Sequence, residues 1–194
     1  ADSLSLRAAA YKAFRAPGFN NLTRTFGTGT STTIANPDLA PENLRGLEAG
    51  ADYRTGPVDI GLTYFRYNIT DMIATFTARA NSAPQQVQLI CGGATLPSCG
   101  GAARYYTNDQ DGVASGVETS LNWRHSRAVS INLHATHTET HLTRRGAVVT
   151  DPLNVQLAGL PKNVATVGLN WTPGGNWRAR VQGRYSGSML LDTT

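Results

Sequence analysis

The residues most able to do chemistry in this sequence are three histidines and a short acidic segment. His134, His137 and His141 could converge on a metal ion if they lay on a helix. On a strand, His134 and His137 have opposite parity and point to opposite faces. The acidic segment 108–112 resembles a calcium-binding loop but lacks the glutamate that completes one. We therefore expect a solvated turn at 108–112, and neither a metal site nor a cofactor.

Two cysteines, Cys91 and Cys99, lie in a segment rich in glycine and proline. An even pair that closes a short loop predicts a disulfide and an oxidising compartment. Free thiols and a metal-binding pair stay open as alternatives, although this spacing is unusual for zinc and no histidine lies between the two residues. The sequence has no Ser-His-Asp order, phosphate loop or suitably spaced pair of carboxylates, so we do not expect an enzyme.

The composition is that of a β protein with many turns. Only 15% of the 194 residues are charged, against roughly 25% in an ordinary soluble domain, and there are 20 glycines. The net charge of +4 is spread along the chain without a basic cluster interleaved with aromatics, so we expect no nucleic-acid partner. No segment approaches the roughly 20 apolar residues of a membrane-spanning helix.

Apolar and polar residues alternate with a period of two through most of the chain. This alternation predicts roughly seven β-strands, several of them long enough for the roughly 9–11 residues that cross a membrane. The predicted strands cover residues 3–11, 45–53, 58–64, 113–124, 129–135, 164–171 and 177–185. The phase slips near Phe65 and Arg66, which predicts a bulge or the exit from the membrane there.

The connections between these strands alternate between short and long. The tight turns cover residues 54–57, 125–128 and 172–176. The long connections cover residues 17–42, 78–103 and 144–162. Short periplasmic turns and long extracellular loops are typical of outer-membrane β-barrels, whereas compact soluble domains seldom keep such long loops.

Large aromatic residues gather near the short turns. They share the apolar parity of the strands and are Tyr53, Trp123, Trp171 and Trp177. Amphipathic rings prefer the headgroup boundary, so we expect this group to form the aromatic girdle at the periplasmic interface. The same parity predicts the lipid-facing residues Leu47, Leu121, Leu133, Leu169 and Val181.

Several short motifs occur in a fixed order along the strands. Phe14-Arg15-Ala16-Pro17 ends the first strand, and Asn36-Pro37-Asp38-Leu39-Ala40-Pro41-Glu42 precedes the second. Glu48-Ala49-Gly50 lies on the second strand, and Gly116-Val117-Glu118 lies on a later one. In this order and spacing the motifs resemble the C-terminal half of the β-barrel of TonB-dependent outer-membrane receptors, over nearly the whole chain.

The resemblance implies an all-β fold, an antiparallel transmembrane β-barrel segment with about seven strands of a 22-stranded barrel whose lumen holds an N-terminal plug. Residues 1–194 would be part of the barrel domain, with the plug, the early strands and the last strands absent, and their strands would form an open sheet. Glu48 and Glu118 have the polar parity and should face the lumen. Hydrogen bonding within the barrel interior is favoured for both over direct ligand contact.

The resemblance also implies an outer-membrane receptor of a Gram-negative bacterium that imports a scarce nutrient such as a ferric siderophore or cobalamin. The TonB complex would energise it through the missing N-terminal region, and outer-membrane lipid and lipopolysaccharide would surround it. Haem receptors of the family carry a ligand histidine between the first two motifs, and no histidine lies between Pro17 and Asn36, which disfavours haem. The alternatives are a passive porin-like barrel and, less favoured, a soluble β-barrel binding protein.

Four arginines in or beside the long connections are candidate contacts to an anionic ligand. They are Arg79, Arg104, Arg144 and Arg145. A guanidinium pairs well with carboxylate and catecholate oxygens, and loops can vary while strands stay fixed. Ordinary solvated or lipopolysaccharide-facing charge is favoured for all four over this ligand contact.

Overall fold

The chain forms one nine-stranded sheet, which the computed structural model describes for residues 2–28, 31–78, 102–146 and 153–190. In chain order its elements are β1 Ser3–Arg15, α1 Phe19–Thr23, β2 Phe26–Thr28, β3 Ser31–Ile34, β4 Glu42–Thr55, β5 Val58–Ala78, β6 Ala102–Trp123, β7 Val129–Arg144, β8 Asn163–Gly174 and β9 Trp177–Ser186. Seven of the strands are neighbours in the order β1-β4-β5-β6-β7-β8-β9, all antiparallel. The short strands β2 and β3 lie off this path.

Cross-strand pairing sorts the side chains onto two faces, because residues directly opposite each other in an antiparallel pair share a face. One row of paired residues crosses six strands through Leu4, Tyr53, Ile60, Leu121, Leu133 and Val167. We name the face that carries this row the apolar face and the opposite one the polar face. The apolar face is widely exposed, with Leu47 at 56% and Val181 at 68% of full exposure. A continuous exposed apolar surface of this kind is typical of a lipid-facing barrel wall.

The all-β antiparallel fold class predicted from the sequence is confirmed, and so is the open sheet. Each of the seven predicted strands corresponds to one strand of the main path. Among the described residues, β1 pairs only with β4 and β9 pairs only with β8, so each leaves one edge unpaired. Within the same ranges, no helix is long and apolar enough to span a membrane.

The strands reach further than predicted at the end where the long connections lie, which we call the loop side. The opposite end, with the short turns, is the turn side. β5 has 21 residues and β6 has 22, since both continue on the loop side beyond their apolar stretches. β3 lies there as well and runs parallel to β6, with Ile34 opposite Tyr105. The buried hydrophobic residues of the described chain are Leu39, Phe65, Val113 and Leu142.

Of the two interpretations of the phase slip near Phe65 and Arg66, the bulge is wrong in its position, and the exit from the membrane stays a prediction. β5 pairs with β6 without a break from Val58 to Ile69, and the register shifts only between Ile69 and Ala74. Phe65 interrupts the alternation because it is a large apolar residue on the polar face, where it is 6% exposed. The true irregularity contains Asp71, whose φ of 59° is a left-handed conformation suited to a bulge.

Candidate functional site

A ladder of ion pairs lines the polar face of β1, β4 and β5. Nearest the turn side, Asp59 binds the Arg54 guanidinium at 2.5 Å and that of Arg124 at 2.9 Å. Further along, the Arg7 guanidinium lies 3.4 Å from the carboxylate of Asp52 on the neighbouring strand. These groups are partly exposed, so each pair contributes little to stability alone. Together they hold charged side chains in fixed positions on a polar wall.

Glu48 lies next along the polar face toward the loop side and is the centre of a hydrogen-bonded group. Its carboxylate accepts hydrogen bonds from the hydroxyl of Tyr11 at 2.7 Å and from that of Tyr67 at 2.8 Å. Gly46 leaves room for the tyrosine, because a Cβ there would lie 2.6 Å from Cζ of Tyr11. The Tyr67 ring stacks on that of Phe65 at 5.1 Å between centroids. Glu48 is thus bonded within the wall itself.

The Phe-Arg-Ala-Pro motif places its side chains on both faces where β1 ends. Phe14 is 73% exposed on the apolar face, and Arg15 lies on the polar face. Glu42, which is 8% exposed, accepts hydrogen bonds from the Arg15 guanidinium at 2.5 Å and from the backbone N–H of Ile73 at 2.7 Å. Pro17 lacks an N–H and cannot continue the strand pairing.

Two motif glycines are required by close contacts. A Cβ at Gly116 would lie 2.1 Å from the carbonyl oxygen of His137 and 2.7 Å from Cζ of Phe65. A Cβ at Gly50 would lie 2.9 Å from the carbonyl oxygen of Leu62. Only glycine lets the neighbouring backbone approach this closely on the polar face.

The polar face forms an open cleft of about 340 Å³ beside the ladder. Its polar lining includes Arg7, Thr63, Glu118, Ser120 and His134. A cation, a carboxylate and an imidazole therefore face one space, which suits a polar chain segment or a small polar ligand. No group of three metal-ligating side chains occurs among the described residues.

An asparagine clamp, formed by Asn36 and Asn108, fastens the segment before β4 to β6 on the loop side. Asn36 is 7% exposed, and its side-chain amide donates to the carbonyl oxygen of Tyr106 at 2.8 Å. Asn108 accepts from the N–H of Ala40 at 2.8 Å and donates to the carbonyl oxygen of Ala40 at 3.0 Å. It also donates to the carbonyl oxygen of Asp71 at 2.7 Å. One side chain thus joins three segments of the chain.

Arg144 is held by carboxylates rather than presented to solvent alone. Its guanidinium binds Asp111 in a bidentate manner, at 2.6 and 2.8 Å, and lies 3.6 Å from Asp71. The solvated turn predicted at 108–112 is wrong, because these residues lie inside β6 and Gln110 is buried. The acidic side chains of this segment serve interstrand contacts, which a reading of composition alone does not reveal.

The other predicted ligand contacts are distributed along the loop side. Arg104 is exposed near the start of β6, and Arg145 directly follows β7. Arg79, Cys91 and Cys99 lie outside the described residues. The four arginine contacts and the Cys91–Cys99 disulfide therefore stay predictions.

The four aromatic residues of the predicted girdle lie near the turn side. Tyr53, Trp123 and Trp171 are 41%, 37% and 50% exposed, and Trp177 is 79% exposed. Pairing of Tyr53 with Ile60 puts this tyrosine on the apolar face. Their contact with a membrane interface stays a prediction.

The histidines do not share one site. His134 lines the polar cleft, whereas His137 lies on the opposite face, where its Nδ1 is 2.8 Å from Oδ1 of Asn163. The sequence reasoning missed β2, β3 and the asparagine clamp. Asparagine is disfavoured in strands, so Asn108 did not indicate its place in β6, and only Asn36 of the clamp lies in one of the motifs named above.

Replacing Asn108 with alanine is expected to loosen the loop side while the sheet stays intact. The change removes three hydrogen bonds and leaves the backbone groups of Ala40 without side-chain partners, at a cost of about 1–3 kcal/mol. Hydrogen exchange of the Ala40 amide should accelerate. Asn68→Ala is the matched control, because the Asn68 side chain makes no hydrogen bond to another described residue. Equal Ala40 exchange in both variants would contradict the clamp.

The sheet is similar to segments of solved transporter and receptor structures. It matches the copper transporter OprC with 17% identity and a TM-score of 0.63, covering 94% of this chain and 24% of that chain. It matches the ferric enterobactin receptor PfeA from Pseudomonas aeruginosa with 16% identity and a TM-score of 0.65, covering 95% and 26%. It matches the FrpB iron transporter from Neisseria meningitidis with 19% identity and a TM-score of 0.60, covering 94% and 24%.

These likenesses establish the fold alone, and the chain spans about a quarter of the length of the three structures. No curated protein matches the sequence. The family described as TonB dependent receptor-like, beta-barrel, matches residues 1–194. Together with the motif order and the open antiparallel sheet, this match confirms the resemblance seen in the sequence. The chain belongs to the β-barrel family of TonB-dependent receptors.

Proposed function

We infer that the protein carrying this chain is an outer-membrane receptor that actively imports a scarce nutrient, such as a ferric siderophore or cobalamin, energised by the TonB complex. The observation that carries this proposal is the family match over residues 1–194 on a sheet with one apolar and one ion-paired face. Two of the similar structures are named for ferric enterobactin and iron, which favours an iron chelate.

In this proposal residues 1–194 are part of the barrel wall, and the plug and the TonB contact belong to other parts of the receptor. Outer-membrane lipid and lipopolysaccharide contact the apolar face. The aromatic group at the turn side, Tyr53, Trp123, Trp171 and Trp177, lies at the periplasmic headgroups. The polar face lines the lumen, and the protein binds and moves its cargo without a catalytic step.

Uptake by cells that depend on this receptor tests the proposal. Ferric enterobactin and cobalamin, each radiolabelled, are supplied with and without TonB and with and without a proton uncoupler. We expect one class of cargo to accumulate only when TonB and the proton gradient are present. Entry that is independent of both would support a passive porin-like barrel instead.

The loop-side arginines supply a sharper test of ligand contact. Replacing Arg79, Arg104 and Arg145 with glutamine should weaken binding of an anionic iron chelate by about tenfold or more, because charge-assisted hydrogen bonds are lost. Arg144 is changed separately, since its pairing with Asp111 gives it a structural role. Arg127→Gln, beside a short turn, is the control. Unchanged affinity in the triple variant would remove these residues from the site.

A further inference from the structure

Three basic side chains lie together on the apolar face, where charge is not expected. Lys12 of β1 lies directly opposite Arg45 of β4, and Arg66 of β5 lies opposite Leu47, two residues from Arg45. All three are exposed. None of them has an ion pair or hydrogen-bonded side-chain partner within the described residues. We call Lys12, Arg45 and Arg66 the basic triad.

The charge pattern of the same three strands differs sharply between their faces. On the apolar face of β1, β4 and β5, up to the bulge, the triad supplies every charged residue, and none is acidic. On the polar face of these strands, arginines are paired with carboxylates: Arg7 with Asp52, Arg15 with Glu42, and Arg54 with Asp59. Like charges directly opposite in a sheet are destabilising. An external anion between Lys12 and Arg45 would relieve that repulsion.

The triad lies near the loop-side end of the apolar surface, and beyond it this face of the three strands carries Phe14, Asn43, Asn68 and Thr70. The next residues toward the turn side on this face are Ala10, Leu47 and Tyr64, all apolar or aromatic. This is the depth at which lipid headgroups meet the barrel wall. The carboxylate of Glu139 lies two strands away through Ser115 and is 3.5 Å from Lys162 Nζ, so it is engaged elsewhere.

We propose that the basic triad binds the phosphate groups of a lipid in the outer leaflet of the outer membrane. The two guanidinium groups bind phosphate oxygens in a bidentate manner, and the ammonium of Lys12 adds a point charge. The acyl chains lie along the exposed apolar side chains below, beginning with Leu47. This inference rests on the outer-membrane location in the proposed function, and it adds a specific lipid site to it.

The test uses the full-length receptor, purified from outer membranes in mild detergent and incubated with bis-phosphorylated lipid A. Native mass spectrometry counts the lipid retained by the wild type and by the triple variant Lys12→Gln, Arg45→Gln, Arg66→Gln. Each basic group near an anionic membrane surface strengthens lipid binding, so the loss of all three should weaken lipid A binding about a hundredfold. Equal retention by both proteins would overturn the proposal.

Two further variants separate a lost site from a lost fold or a lost charge. The charge-keeping variant Lys12→Arg, Arg45→Lys, Arg66→Lys should bind lipid A more tightly than the glutamine variant, and more weakly than the wild type because the bidentate contacts are lost. Arg178→Gln, Arg180→Gln, Arg184→Gln removes three cations from the polar face of β9 and should also retain it. Heat-modifiable gel mobility identifies any variant that does not fold. If the polar-face variant shows normal gel mobility but no longer retains lipid A, binding depends on net charge and the triad is rejected as the site.

Two further ligands distinguish a lipid site from a site for free phosphate. Dephosphorylated lipid A should bind as weakly to the wild type as lipid A binds to the triple variant. Inorganic phosphate at millimolar concentration should not displace lipid A, and displacement would indicate a free-phosphate site and reject a lipid one. Membrane fractionation and cargo uptake are measured in parallel. A receptor in the outer membrane that imports cargo but retains no lipid A would reject the triad site and leave the proposed function standing.

Discussion

A receptor carrying Gly116→Val is expected to be nearly absent from the membrane as a folded barrel. A Cβ at this position would already lie 2.1 Å from the carbonyl oxygen of His137, before the two methyl groups are added. That oxygen belongs to the backbone of β7, so it cannot rotate away as a side chain could. The β6–β7 pair would have to separate at Thr138, at a cost of about 3 kcal/mol or more.

Heat-modifiable gel mobility of outer-membrane fractions measures the folded amount, which should fall by about tenfold or more. Gly183→Val is the matched control on β9, because the nearest atom to a Cβ there is Cγ1 of Val167, at an ordinary 3.6 Å. The control should fold at close to the wild-type level. Similar folded amounts of the two variants would show that Gly116 does not set the approach of β6 and β7.

Leu133→Arg should destabilise the folded barrel by about 2–4 kcal/mol, because it places a charge in the middle of the lipid-facing surface. Leu133 pairs with Leu121 on one side and Val167 on the other, so its neighbours offer no carboxylate. The long arginine side chain cannot avoid the hydrocarbon without distorting the wall. The urea midpoint for unfolding from lipid vesicles measures the loss.

The control for this prediction is the adjacent residue. His134→Arg lies at the same depth but faces the polar cleft, so its effect should stay within about 0.5 kcal/mol. If arginine is tolerated equally at both positions, the assignment of the apolar face to lipid is wrong. If both variants fail, the sheet is packed against another protein surface on both faces.

The seven main strands could be predicted from the sequence because apolar and polar residues alternate within each of them. Leu4 to Tyr11 and Trp177 to Tyr185 need no knowledge of distant residues to be assigned to strands. The extensions of β5 and β6 could not be predicted, because their pairing partners are 25 or more residues apart in the chain and their alternation is interrupted. Thr75 and Tyr106, for example, meet only through that pairing.

The candidate site was foreseeable in its residue types but not in its bonding. Glu48 could be placed on the polar face by parity, whereas Glu42 fell in a predicted long connection and proved to begin β4. The tyrosine, arginine and backbone partners of the two glutamates depend on strand register. Asn108 looked like part of a solvated turn because asparagine and aspartate favour turns. Its true role arises from contacts with Ala40 and Asp71, which are distant in sequence.

In the proposed receptor, the loop-side extension of β5 carries the sheet outward beyond the cell surface. Thr70 to Ala78 are nine strand residues, which span about 30 Å at roughly 3.3 Å each, or about 20 Å of height for a tilted strand. In the proposed receptor, Ala78 therefore lies well away from the lipid headgroups. A short peptide tag inserted directly after Ala78 should be bound on intact cells by an antibody too large to approach the membrane surface. This position is therefore suitable for labelling the receptor in living bacteria.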